Sequence, residues 1–335
     1  MPLFMKRLPG LALLTLGALS CAVADRGAPA AAERAGQQAQ PLINGLESDA
    51  SQDYTMLIQN TSGGGLNEGT GTLVAPNLVL TALHIVANYD QNFQFGAVCV
   101  LGETNLTVYG LKSPKNFKVH AGTKYPGSKT EPAALVKEFI ALDTLSLCDG
   151  DMAFLVLDRD LTDRPIAPIR LDGPPTIGNS FFTVGWGLTT KEGLSALTRK
   201  TMADMPILAL GPGQYQPEGA LRAFDVFPSQ MLSGSGPCYG DSGGGAFDTT
   251  TKAVFAVQNG IDNTNPNAVD TDEFRAASCI GATSFYTRTD RFRDQIIKAF
   301  KTAGHAPWRE NKPRPAAFGE ACAEDLDCDS QLCVG

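Results

Sequence analysis

The sequence predicts an all-β protein, either a sandwich or a pair of barrels, and three observations lead there. From Tyr54 onward the chain is made of short β-branched and apolar runs separated by Gly, Pro and Asn. Two of these runs, Leu73-Val74 and Leu78-Val79-Leu80, flank Ala75-Pro76-Asn77, where proline presets φ and asparagine tolerates tight geometry, so the stretch reads as a hairpin. Helical periodicity is scarce. Its clearest instance lies near the C-terminus, where Phe292, Ile296 and Phe300 recur every four residues behind Asp290 as the expected cap.

In chain order, residues 1–24 begin with Lys6 and Arg7, continue as the apolar run Leu8 to Leu19 and end in Ala22-Val23-Ala24. That is the pattern of a secretory signal peptide. The run is too short to span a bilayer, and no later stretch reaches the roughly 18 apolar residues that a transmembrane helix needs. An exported chain without a transmembrane segment follows. Ala18-Leu19-Ser20-Cys21 also loosely resembles a lipoprotein box, in which Cys21 would become a lipidated first residue, so a cell-surface or periplasmic lipid anchor competes with cleavage after Ala24. Residues 25–41 are rich in Ala, Gln and Gly without apolar periodicity and are expected to be a linker or pro-segment. Strand-like runs then continue through Met152 to Leu157, Phe181 to Val184, Ala253 to Val257 and Ser284 to Thr287.

Composition narrows the partners. At 335 residues, with 43% hydrophobic and 19% charged residues and a mean hydropathy of -0.07, the chain can bury a sizeable core and has room for two domains. Its net charge of -8 argues against nucleic acid or anionic lipid as a general partner.

Candidate chemistry concentrates in Cys238-Tyr239-Gly240-Asp241-Ser242-Gly243-Gly244-Gly245. A serine hydroxyl is a poor nucleophile at neutral pH, so it needs an adjacent base, and the oxyanion it creates needs preorganised donors. Glycines on both sides of Ser242 let the backbone turn tightly enough for the N–H groups of Gly240 and Ser242 to converge on one oxygen. Taken alone, the same stretch also suits an ordinary glycine-rich surface turn.

Two further stretches change that balance. Gly71-Thr72-Leu73-Val74-Ala75-Pro76-Asn77-Leu78-Val79-Leu80-Thr81-Ala82-Leu83-His84 and Asp151-Met152-Ala153-Phe154-Leu155-Val156-Leu157 resemble, together with Gly240-Asp241-Ser242-Gly243-Gly244, the three active-site motifs of the trypsin/chymotrypsin family. Their His, Asp, Ser order is also that family's. The resemblance covers about Leu42 to Gly304, with Gly185-Trp186-Gly187 and Met205-Pro206-Ile207-Leu208 similar to the opening of the family's second barrel. It implies the chymotrypsin fold: two antiparallel six-stranded β-barrels over residues 42–160 and 161–304, a C-terminal helix, and a catalytic cleft between the barrels. Residues 305–335 remain as a linker and Cys-rich tail.

The same resemblance implies a secreted serine endopeptidase acting on protein or peptide substrates without metal or cofactor. His84 would be general base and acid, Asp151 the orienting carboxylate, Ser242 the nucleophile, and Gly240 and Ser242 the oxyanion donors. Asp149 competes with Asp151, but Asp151 directly precedes the apolar run, whereas Asp149 follows Cys148 and suits a turn. Of the three histidines, only His84 follows an apolar hairpin. A catalytically silent homologue that serves as a binding module and an esterase-leaning hydrolase are the alternatives.

Substrate-binding positions implied by the resemblance are Gly236, Gln258, Gly260 and Ser284. Gly236 stands where trypsin-like members carry the aspartate that selects basic side chains, so small or medium apolar side chains are expected at the cleavage site. Asp270, Asp272 and Glu273 in the insertion Ile261 to Ser278 could supply a carboxylate instead. Gln258-Asn259-Gly260 replaces a common Ser-Trp-Gly wall segment, and Ile85 replaces a common cysteine. Leu42-Ile43-Asn44-Gly45 resembles the family's mature N-terminus, whose amine folds onto the residue corresponding to Asp241. Pro41 stands where a basic residue usually marks the cut, so an uncut chain would need another partner for Asp241.

Cysteine usage points to an oxidising compartment. Cys238 and Cys279 match the family pair that clamps the specificity pocket, and Cys99 and Cys148, left in the first barrel, are expected to pair with each other. Cys322, Cys328 and Cys333 resemble the opening of a small disulfide-rich module; zinc is the competing reading, disfavoured by the absence of nearby histidine.

Overall fold

A computed structural model describes residues 42, 45–61, 65–90, 99–101, 106–189, 197–218, 220, 222–264 and 278–315. The leader with Cys21, the linker, the acidic insertion residues Asp270, Asp272 and Glu273, and tail residues Cys322, Cys328 and Cys333 lie outside the described residues.

The first half of the chain runs β1 (Leu46–Glu47), β2 (Thr55–Asn60), β3 (Asn67–Ala75), β4 (Leu78–Thr81), a one-turn helix α1 (Leu83–Val86), β5 (Ala87–Tyr89), β6 (Val108–Leu111), β7 (Phe117–His120), β8 (Ala134–Ala141) and β9 (Ala153–Leu157). The Pro76-Asn77 turn joins β3 to β4 as the sequence predicts, and around this hairpin a barrel closes in the order β2-β3-β4-β9-β8-β7. Every position of β9 is buried, which is why its sequence is an unbroken apolar run rather than an alternating one. β5 and β6 form a separate hairpin directly after α1.

The second half continues with β10 (Ser180–Gly185), β11 (Lys200–Leu210), β12 (Gly213–Tyr215), β13 (Phe224–Val226), β14 (Gln230–Ser233), β15 (Gly245–Asp248), β16 (Val254–Asp262), β17 (Thr283–Arg288) and helix α2 (Arg293–Ala303). Here β11-β10-β15-β16-β17-β14 forms the second barrel, closed by pairing of β14 with β11. The short strand β1 adds to β11, so the start of the chain's first half is paired with the second barrel. Phe181, Met205, Met231, Phe255 and Tyr286 fill that barrel, with the Phe181 ring meeting Phe255 and Tyr286 edge to face.

Ile296 and Phe300 of α2 are fully buried and pack into the larger core, the Phe300 ring reaching Phe154 of β9. Truncating Phe300 to Ala would cost about 3–5 kcal/mol by the usual core-cavity relation. The start of the helix corrects one sequence expectation. Asp290 does not cap it: the residue lies in a 3-10 turn, Thr289–Phe292, and its carboxylate binds Arg288 at 3.0 and 2.6 Å. A bidentate guanidinium is a stronger partner than one helix N–H. Among the described residues two disulfides are formed, Cys99–Cys148 and Cys238–Cys279, with Cα separations of 5.5 and 5.4 Å. Among the described residues no helix is long and apolar enough to cross a membrane.

Candidate active site

His84 sits in α1, immediately after the β3-β4 hairpin, and Asp151 sits just before β9, which pairs with β4. The strand pairing therefore brings together two residues 67 apart in the chain. Asp151 Oδ2 accepts a hydrogen bond from His84 Nδ1 at 2.7 Å, and Oδ1 accepts one from the backbone N–H of His84 at 2.8 Å. Both carboxylate oxygens thus grip the same residue. Because a carboxylate only accepts, Nδ1 carries a proton, and in the neutral ring this leaves the lone pair on Nε2. Asp151 is buried while the His84 side chain is 20% exposed, so the imidazole stands between the carboxylate and solvent.

Lys112 lies beneath this helix turn. Its ammonium donates to the carbonyl oxygen of Ile85 at 2.8 Å, and half-burial pushes its pKa below the usual lysine value. No sequence motif singles out Lys112; it reaches α1 only because the β5-β6 hairpin returns the chain there.

The turn carrying Ser242 depends on backbone conformations that ordinary side chains avoid. Gly240 and Gly243 have φ of 95° and 85°. A Cβ at Gly243 would also collide with Thr70 O and Thr81 Oγ1, so close is the turn to β3 and β4. Hydrogen bonding within the turn alternates. The N–H groups of Asp241, Gly243 and Gly244 bond to Cys238 O, Gln258 O and Asp241 O at 2.8–3.0 Å. Those of Gly240 and Ser242 have no hydrogen-bond partner among the described residues. Unpaired backbone donors are rare inside proteins, and two separated by one residue make a ready receptor for an anionic oxygen.

Asp241 points the other way, into the protein. It is buried in a cradle made by Gly185 and Gly187, where any Cβ would overlap its carboxyl group. Its oxygens accept the N–H groups of Gly187 at 2.8 Å and Cys238 at 2.9 Å. Desolvation outweighs those two bonds and pushes its pKa up to about 7. These are the partners that Asp241 has in the uncut chain. Leu42, which the sequence marks as a candidate new N-terminus, is buried with its own N–H bonded to Gly236 O at 2.6 Å.

A cavity of about 1180 Å³ opens in front of these groups, and His84, Asp151, Gly240, Ser242, Gln258 and Gly260 all line it. Ser242 Oγ makes no hydrogen bond to the imidazole among the described residues; such pairs often tighten only when substrate binds. Gln258 bends back on itself, its Nε2 donating to Gly260 O at 3.2 Å. Gly236 and Ser284 are not among the lining residues. Gly236 is buried against Met205 and Met202, and Ser284 is fully buried on β17. Asp262, on the cavity wall, is paired with Arg222.

Comparison with known proteins gives one family: the model described as Trypsin matches residues 43–280. No curated protein matches the chain.

Proposed function

The chain belongs to the trypsin family, and from that premise we propose that it is an exported serine endopeptidase with His84, Asp151 and Ser242 as its catalytic groups. The observation that carries the proposal is the double grip of Asp151 on His84, at 2.7 and 2.8 Å, on a cavity that Ser242 also lines. A silent homologue has no need of an imidazole held in one tautomer on the cavity that Ser242 lines.

In the proposed reaction Ser242 Oγ attacks the peptide carbonyl carbon while His84 Nε2 takes the hydroxyl proton, and Asp151 stabilises the imidazolium that results. The carbonyl electron pair moves onto oxygen, where the free N–H groups of Gly240 and Ser242 receive it. Collapse of this intermediate breaks the C–N bond, and the imidazolium returns its proton to the departing amine. Water then repeats the sequence on the acyl-enzyme, and carboxylate leaves with Ser242 restored. The two disulfides favour an oxidising, extracytoplasmic location, in keeping with the leader pattern.

Hydrolysis of casein by purified protein, and its loss in Ser242→Ala, tests the proposal. If the protein, both full-length and starting at Leu42, leaves casein intact, the binding-module reading replaces it.

A further inference from the structure

Asp151 orients the histidine, so whatever holds Asp151 bears on catalysis. Both oxygens of its carboxylate are engaged by His84, and its backbone offers a further handle. The Asp151 N–H donates to Thr287 Oγ1 at 3.2 Å, across 136 residues of sequence and from one barrel to the other. The same oxygen accepts from Asn259 Nδ2 at 2.9 Å. Thr287 is fully buried on β17, whereas Asn259 lines the cavity. One hydroxyl thus joins the residue behind the histidine to a residue of the cleft wall. Gln258, next to Asn259, does not share this task, because its side-chain nitrogen is turned onto Gly260 O. A second tie supports the same loop: Ser229 Oγ donates to Asp149 O at 2.7 Å.

We propose that Thr287 is a positioning residue, which fixes the Asp151-His84 pair relative to the cleft wall through the chain Asn259, Thr287, Asp151. It touches no substrate. It holds the first-barrel half of the catalytic machinery in register with Asn259 and Ser242 on the second barrel, so its loss should slow the chemical step rather than weaken binding. This inference rests on the serine endopeptidase proposal.

The test is Thr287→Val, which keeps shape and β-branching but removes the hydroxyl, compared with Thr287→Ser, which keeps the hydroxyl. Using a peptide substrate that the wild type cleaves, Thr287→Val should lower kcat about tenfold, equivalent to about 1.4 kcal/mol, with KM within about twofold. Thr287→Ser should recover most of that loss. In a double-mutant cycle, Asn259→Ala should lower kcat less in the Thr287→Val background than in wild type, since the shared link is already cut. Wild-type kcat in Thr287→Val, or a Thr287→Ser variant as slow as Thr287→Val, overturns the inference. If Thr287→Val does not fold, Thr287→Ala carries the same expectation against Thr287→Ser. An inert wild-type protein overturns the endopeptidase proposal as well, whereas an active one with an unaffected hydroxyl-free variant overturns this inference alone.

Discussion

Ile85 fills the space that a side chain at Gly69 would occupy: a Cβ built on Gly69 would lie 2.5 Å from Ile85 Cδ1. Ile85 directly follows His84 in α1, and Gly69 lies on β3, so this apolar contact ties the histidine's helix turn to the barrel where related chains often carry a cysteine after the histidine. Gly69→Ala should therefore overpack the contact and destabilise the protein by about 1–3 kcal/mol. Combining it with Ile85→Val, which removes Cδ1, should recover much of that loss. Denaturant unfolding of both variants checks this, and a Gly69→Ala protein as stable as wild type would contradict it.

A pH dependence follows from Asp241. Its folded pKa, raised to about 7 by burial, lies above that of an exposed carboxylate, so the folded state holds a proton that the unfolded chain releases. The stability that this group contributes is present at acidic pH and is lost as pH rises through about 7. Asp241→Asn cannot ionise. The melting temperature of the uncut wild type, relative to Asp241→Asn, should therefore fall between about pH 4 and pH 8. A difference that stays constant or grows over this range would contradict the assignment.

Specificity should avoid basic residues. Gly236 provides no charge, and Met205 and Met202 fill the space beside it, so no carboxylate from this position reaches the cavity to pair with a desolvated lysine or arginine, whose burial unpaired costs several kcal/mol. Matched peptides with Ala, Leu, Phe or Arg at the cleavage site should give the highest kcat/KM for Ala or Leu. A preference for Arg above about tenfold, or 1.4 kcal/mol in the transition state, would mean that a carboxylate reaches the site from elsewhere.

The barrels are legible in the sequence because strands leave local marks: the Pro76-Asn77 turn and the apolar run of β9 carry their own signals. His84 and Asp151 are legible for a related reason, since each abuts such a run and β4-β9 pairing brings them together. What stayed hidden depends on contacts between distant segments. The Thr287 hydroxyl reaches Asp151 from the other barrel, and the partners of Asp241 include a backbone group 54 residues away. Nor could counting positions reveal that Gly236 and Ser284 are enclosed, because that depends on how Met202, Met205 and the strands of the second barrel fill its interior. Asp290 reads as a cap in the sequence because local spacing cannot show that Arg288 folds back to claim it.

Reaction with a fluorophosphonate probe, followed by intact mass and peptide mapping, reports on Ser242 itself, because the probe bonds covalently only to an activated serine. Wild-type protein, tested full-length and starting at Leu42, should gain one phosphonyl group per chain on the peptide containing Ser242, and both Ser242→Ala and His84→Ala should gain none. A wild type that stays unlabelled in both forms, or a label that persists in Ser242→Ala, would rule out Ser242 as the nucleophile.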